Sequence, residues 1–335
     1  MKTRLTWLAL GLLMIGTVFS QELTWQELVR RPELWPTQCT INRSMKFQSG
    51  ASVSAGQKLD VIEIQPNQIG LGTPDGHLSF AAKPEDTDAL ALARSVWAKL
   101  TPAQRDLTYA TLLRRTDLWP YRVALRVPIE LNGNRKLTKG EKVILMGVEG
   151  NQILVLSEAI NTSFDLDPSQ TDLLEQARGW VSNRGGAPSR VAEELSGKLM
   201  DPATGKSASL GTNDSSRLFA FYRGAGWCGP CREFSPTLLK TYKDLKSKYS
   251  GFELVFLSAD HSQAEMQRYV QDEGFPWLAV PAERIKDLHL ISQDFGQYIP
   301  QLVIVDSHGK LLVDSEKGER SQALKQFADL VAKNP

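Results

Sequence analysis

Residues 23–181 contain one unit written twice, and this repetition constrains the architecture more than any other feature of the chain. The segment Leu23-Thr24-Trp25-Gln26-Glu27-Leu28-Val29-Arg30-Arg31, closed by Leu34-Trp35-Pro36, recurs 84 residues later. There it reads Leu107-Thr108-Tyr109-Ala110-Thr111-Leu112-Leu113-Arg114-Arg115, closed by Leu118-Trp119-Pro120. The register then holds without a gap. Gly56 and Lys58 match Gly140 and Lys142, and Asn67-Gln68-Ile69 matches Asn151-Gln152-Ile153. Ser79-Phe80, Thr87-Asp88 and Ala93-Arg94 match Ser163-Phe164, Thr171-Asp172 and Ala177-Arg178. Self-similarity at a fixed spacing means that one supersecondary unit is built twice.

Each unit opens with a short helix. Thr101-Pro102-Ala103-Gln104 offers a capping box with proline at the first helical position. Val123, Leu125, Val127, Ile129 and Leu131 alternate with polar residues as one strand, and Asn132-Gly133 suits a hairpin turn. The run from Val143 to Val148, a Gly150-Asn151 turn, and Ile153 to Leu156 add a second hairpin. Short strands with turn punctuation predict two small β barrels or rolls, at 21–99 and 100–181. The pattern resembles bacterial SH3-like domains. That resemblance implies modules that bind an unknown peptide or glycan ligand; the competing reading is a pair of spacers that position the next domain. Arg30-Arg31 and Arg114-Arg115 read as solvated helix faces, with an anionic docking site as the alternative. Cys39 aligns with Val123 on the inward face of a strand and is expected to be a buried, inert thiol, against an intermolecular or regulatory one.

The whole chain has 335 residues, 41% hydrophobic and 23% charged. That allows two or three domains and excludes a disordered, collagenous or polytopic membrane protein. A net charge of +1 gives no pull toward nucleic acid or an anionic membrane. Three cysteines are too few for a disulfide-stapled scaffold. Residues 1–20 carry Lys2 and Arg4, an apolar run to Phe19, and a small residue, Ser20, before Gln21. This is the order of a secretory signal peptide. It predicts an exported, periplasmic protein; an uncleaved N-terminal membrane anchor is the alternative.

Residues 182–189, rich in glycine, proline and polar side chains, read as a linker to a last domain at 190–335. There an apolar strand, Leu218-Phe219-Ala220-Phe221-Tyr222, runs into Trp227-Cys228-Gly229-Pro230-Cys231 and then a helical stretch from Arg232. The first sulfur sits where unpaired N–H groups and the helix dipole favour a thiolate. Two intervening residues let Cys231 close a redox-active disulfide on Cys228. A bare Cys-x-x-Cys is also half of a zinc site, but Cys39 and the four scattered histidines form no second pair, so neither a metal nor a cofactor is expected.

Trp227-Cys228-Gly229-Pro230-Cys231-Arg232-Glu233-Phe234-Ser235-Pro236 resembles the thioredoxin superfamily. With Leu257-Ser258-Ala259-Asp260 and Pro276-Trp277-Leu278-Ala279-Val280-Pro281, it is most similar to the tryparedoxin and nucleoredoxin branch. The resemblance implies an α/β thioredoxin fold with a central mixed sheet and flanking helices. It also implies a cis-proline loop at Ile299-Pro300 facing the cysteines, and a substrate groove shaped by Trp227, Gly229, Pro230, Ile299 and Pro300. Tyr222 stands where typical thioredoxins have a buried aspartate, so a carboxylate base is in doubt. Asp260 reads as a surface residue rather than a proton shuttle. Downstream, Ser262 and Ser321 are expected to cap helices.

The chemistry expected is thiol–disulfide exchange on protein disulfides, as a reductase fed by a membrane or periplasmic electron donor. The same dithiol would also serve an oxidase or isomerase. A different class is a partner-binding protein that uses the tandem modules, with a redox-switched last domain. If the repeats only target the enzyme, deletion of 21–181 is expected to leave activity on a generic disulfide intact.

Overall fold

The computed structural model describes residues 22–132, 135–181, 186–210, 217–317 and 320–334. The expected signal peptide at 1–20 lies outside the described residues, as do Gly133 and residues 182–185 of the expected linker. The chain divides into two compact units, one up to Leu100 and the other from Thr101 onward.

The repetition in sequence is a repetition in hydrogen bonds. In the first copy a four-stranded antiparallel sheet has the order Gln38–Thr40, Lys58–Gln65, Gln68–Gly72, Ser79–Ala82. The second copy has the same order: Arg122–Ala124, Lys142–Glu149, Gln152–Ser157, Thr162–Leu166. Cys39 pairs with Leu59 as Val123 pairs with Val143. A bulge between Val61 and Glu63 returns between Leu145 and Gly147. Thr24 and Thr108 each close a capping box on the first helix. The Trp35 indole donates to the Leu28 carbonyl at 2.7 Å, and that of Trp119 to Leu112 at 2.9 Å. Each copy buries its own apolar core, around Leu28, Cys39, Leu59 and Ile69 in the first and Leu112, Val123, Val143 and Ile153 in the second.

The alternating run from Val123 to Leu131 is not one strand. It breaks into Arg122–Ala124 and Ile129–Leu131, with Val127 39% exposed between them. The first copy breaks at the same place, between Gln38–Thr40 and Met45–Lys46, with Ser44 where the second has Pro128; in both, the chain turns away as Asn42 N–H goes to Asp86 O and Arg126 N–H to Gln170 O.

From residue 190 onward the chain builds a seven-stranded sheet. Its elements are α1 (Arg190–Leu195), β1 (Leu199–Asp201), β2 (Lys206–Ala208), β3 (Leu218–Gly224), α2 (Gly229–Lys246), β4 (Phe252–Ser258) and α3 (Gln263–Glu273). After these come β5 (Ala279–Val280), α4 (Ala282–Ile285), β6 (Gln301–Asp306), β7 (Leu311–Asp314) and α5 (Arg320–Lys333). The spatial order is β2-β1-β5-β4-β3-β6-β7, with β3, β4 and β5 parallel and the other pairings antiparallel. Strand alternation sends Leu218, Ala220 and Tyr222 to one face, where α2, α3 and α5 cover them. Ser262 caps α3 as expected, but Ser321 lies inside α5, which begins a residue earlier.

Phe219, Phe221, Val255, Leu257, Val303 and Val305 point to the other face, and the second repeat helps to cover them. Tyr121, Ile144 and Leu156 share one buried cluster with these residues and with Val191 and Leu195 of α1. Arg190, itself buried, donates through one guanidinium nitrogen to the Leu145 carbonyl and through another to that of His308. Residues 187–189 are tied down rather than free: Ala187 N–H donates to Asp117 O, and Ser189 caps α1 and donates to Ser307 O. Deletion of 21–181 would therefore strip part of the sheet's cover.

Candidate active site

β3 ends at Gly224, and Cys228 is the N-cap of α2. Its sulfur accepts from the Cys231 backbone N–H at 3.2 Å, so the orphan donors of the first turn face the position where a thiolate would stand. Cys228 and Cys231 are joined as a disulfide, with Cα atoms 5.2 Å apart. Cys228 keeps a small solvent-facing edge and Cys231 has none. Gly229 and Pro230 are exposed in the turn between them. The Ile299–Pro300 peptide is cis, and the Ile299 carbonyl lies 3.9 Å from Cys228 Sγ. Ala225, Ala259 and Ile299 give the sulfurs an apolar surround.

Trp227 is 58% exposed, yet the loop carrying it is pinned. Its indole donates to the Ala259 carbonyl at 3.3 Å, and the His261 ring stacks on it at 5.7 Å between centroids. Arg232 Nε donates to Gly226 O at 2.6 Å. Asp260 is buried, not a surface residue. One oxygen accepts from Gly226 N–H at 2.8 Å and the other from Ser258 Oγ at 2.9 Å. The reason is local: the N–H groups of a tight loop need an acceptor once water is excluded.

Behind Cys231 lies a triangle of hydroxyls. Tyr222 OH is 3.1 Å from both Ser235 Oγ and Tyr269 OH, and these two are 2.6 Å apart. Ser235 Oγ donates to the Cys231 carbonyl at 2.8 Å. Burial pushes both phenols above their ordinary value, so they stay neutral through the physiological range. Tyr222 thus offers a neutral hydrogen-bonding group behind Cys231. Sequence reasoning missed Ser235, Tyr269 and the burial of Asp260. Ser235 was within reach of it, since a residue four places after Cys231 on a helix faces the same carbonyl; nothing local marks Tyr269.

Cys39 is far from this chemistry in kind as well as in sequence. It is buried in the first repeat, and burial pushes its thiol up to about 11. Among the described residues, no cluster of histidine, cysteine and carboxylate side chains has the makings of a metal site.

A family model described as Thioredoxin-like matches residues 216–311, the span from β3 through the cysteine pair and the cis-proline to β7. The C-terminal region is a thioredoxin-like domain. Probable nucleoredoxin 1 of Arabidopsis thaliana is 40% identical over 103 residues, covering 30% of this chain and 17% of that protein. Nucleoredoxin of Danio rerio is 33% identical over 130 residues, covering 37% of this chain and 29% of its own length. The chain therefore spans less than a third of these curated relatives. A solved structure of tryparedoxin I from Crithidia fasciculata is 27% identical, covering 41% of this chain and 92% of that one, with a TM-score of 0.33. Within the thioredoxin-like domain, the matched span holds both cysteines, Trp227 and the Ile299–Pro300 loop.

Proposed function

We propose that this protein is a thiol–disulfide oxidoreductase that reduces protein disulfides through the Cys228/Cys231 dithiol. The observation that carries the reading is the asymmetry of the pair: Cys228 caps a helix and keeps a small solvent-facing edge, and Cys231 is fully enclosed. In the reduced protein the Cys228 thiolate attacks one sulfur of a substrate disulfide. A Cys228–substrate bond forms, the substrate S–S bond breaks, and the leaving thiolate takes up a proton. Cys231 then gives up its proton and attacks Cys228 Sγ; the internal disulfide closes and the second substrate thiol leaves. Two electrons pass to the substrate, and an external dithiol donor must return them. Trp227 and the Ile299 carbonyl flank the attacking sulfur and form the walls against which a substrate chain would lie.

Cys228→Ser is expected to abolish reduction of a protein disulfide, and Cys231→Ser to accumulate a mixed disulfide visible by non-reducing electrophoresis. Direction is read from the reduction potential in dithiothreitol or glutathione buffers. A value near or below about −250 mV supports a reductase; one above roughly −180 mV favours an oxidase or isomerase. The N-terminal pattern supports export to a periplasm, where a membrane or periplasmic donor would supply the electrons. The duplicated four-stranded antiparallel sheets support reading the two repeats as SH3-like modules.

A further inference from the structure

The loop that brings Ile299 to Cys228 is held from behind by the second repeat. Resting on the redox reading above, we propose that Tyr121 and Glu194 are positioning residues for the site, fixing the segment 287–300 so that the Ile299 carbonyl stays beside the attacking sulfur.

Glu194, on α1, is fully buried and forms no ion pair among the described residues. One of its oxygens accepts from the backbone N–H groups of both His289 and Leu290, at 2.5 Å each. The Tyr121 hydroxyl, from the second repeat, donates to the same oxygen at 3.4 Å. Burial outweighs the nearby charge of Lys198 and pushes the Glu194 pKa up, so the carboxylate is a costly way to hold a backbone. What it offers is a single acceptor strong enough for two amides and a phenol at once. Just past the end of α1, Lys198 Nζ donates to Asp287 O at 2.6 Å. The start of the active-site loop is thus gripped at three successive points.

From there the hold continues as far as Gly296. Leu288 and Ile291 are buried in the cluster shared with Tyr121 and Ile144. Phe295 stacks edge-on against Phe221 of β3 at 6.0 Å. Arg223 donates to the Gly296 carbonyl, and Gly296 N–H donates to the buried Gln301 side chain, which in turn donates to Asp294 O. Gln297 and Tyr298 follow, both exposed, and then the Ile299–Pro300 pair, which β6 holds from its far side. The strut's far end is the second repeat: α1 sits where it does because Arg190 bridges Leu145 O and His308 O, with Val191 and Leu195 packed against Tyr121, Ile144 and Leu156.

The test uses the full chain with Tyr121→Phe, Glu194→Ala and the conservative Glu194→Gln, which keeps an acceptor oxygen. Amide hydrogen exchange of residues 288–298 is expected to accelerate about tenfold in Glu194→Ala and less in Tyr121→Phe. Amides of α2 should stay protected and Glu194→Gln should restore most of the protection. KM for the disulfides of insulin should rise about five- to tenfold in Glu194→Ala, with kcat on a small aromatic disulfide within about twofold of wild type. Exchange unchanged in 288–298, equal loss of protection in α2, or an unchanged KM for insulin would each overturn the assignment. If wild type reduces neither substrate, the redox reading fails, and the exchange comparison still decides whether Tyr121 and Glu194 hold the loop.

Discussion

Single side chains decide three things here. Both oxygens of Asp260 are committed, one to Gly226 N–H and one to Ser258, so its work is to hold the Trp227 loop. Asp260→Ala, which leaves the buried amide unpaired, is expected to cost about 1–3 kcal/mol in urea unfolding, and Asp260→Asn less. Cys39 is sealed in the first repeat with its thiol pushed up to about 11. In the native, reduced protein an alkylating reagent should label Cys228 rapidly and Cys39 only after denaturant is added, as peptide mass mapping would show. His308 is half-buried, with its Nδ1 enclosed and unpartnered; Asp306, Arg190 and Asp117 lie around it, and burial holds its pKa below the ordinary value. A histidine kept neutral in the native state gives stability that is present above its unfolded pKa of about 6.5 and lost as pH falls through the folded value. Wild type should therefore lose more unfolding free energy between pH 7 and pH 5 than His308→Gln, measured by urea midpoints at each pH.

At the scale of elements, each repeat locks its sheet to its second helix through one aspartate. Asp88 accepts from Thr40 N–H at 2.6 Å, and Asp172 from Ala124 N–H at 2.8 Å. Asp172→Ala should destabilise the protein by about 1–3 kcal/mol in chemical denaturation, with the redox centre still reactive. These paired aspartates were readable as part of the repeat register, and so were both hairpins, because period and turn chemistry are local. The thioredoxin-like strands and the cysteine-bearing helix were readable for the same reason. The break after Ala124 was not, since it depends on Arg126 N–H turning to the Gln170 carbonyl, a partner far along the chain that the alternation of Val123 to Leu131 does not mark. The start of α5 was misplaced because Ser321 is a good cap residue wherever the backbone allows one. Asp260, Ser235 and Tyr269 were not readable as a group: their meeting depends on how α2, α3 and the end of β4 pack, which no short window contains.

For the molecule as a whole, the second repeat is part of the redox domain's core rather than a neighbour of it. A fragment of residues 186–335 is expected to be poorly soluble and to bind a hydrophobic dye, because Phe219, Val255 and Val303 lose the cover given by Tyr121, Ile144 and Leu156. A fragment of residues 101–335 should unfold cooperatively without the dye. The two copies have diverged on this one face. Where the second carries Tyr121, Ile144 and Leu156, the first carries Thr37, Asp60 and Gly72, beside an Ile62 that is 57% exposed. Ile144→Asp, which recreates the first copy's residue, should destabilise the 101–335 unit by several kcal/mol in urea, since it buries an unpaired charge. The same divergence bears on the order of synthesis. The first copy leaves the ribosome before the second and has the same strand register, so a growing chain has an early impostor for the redox domain's apolar face. Asp60 disqualifies it, so when the apolar face emerges, last of all, the cover it takes is the second copy, already made.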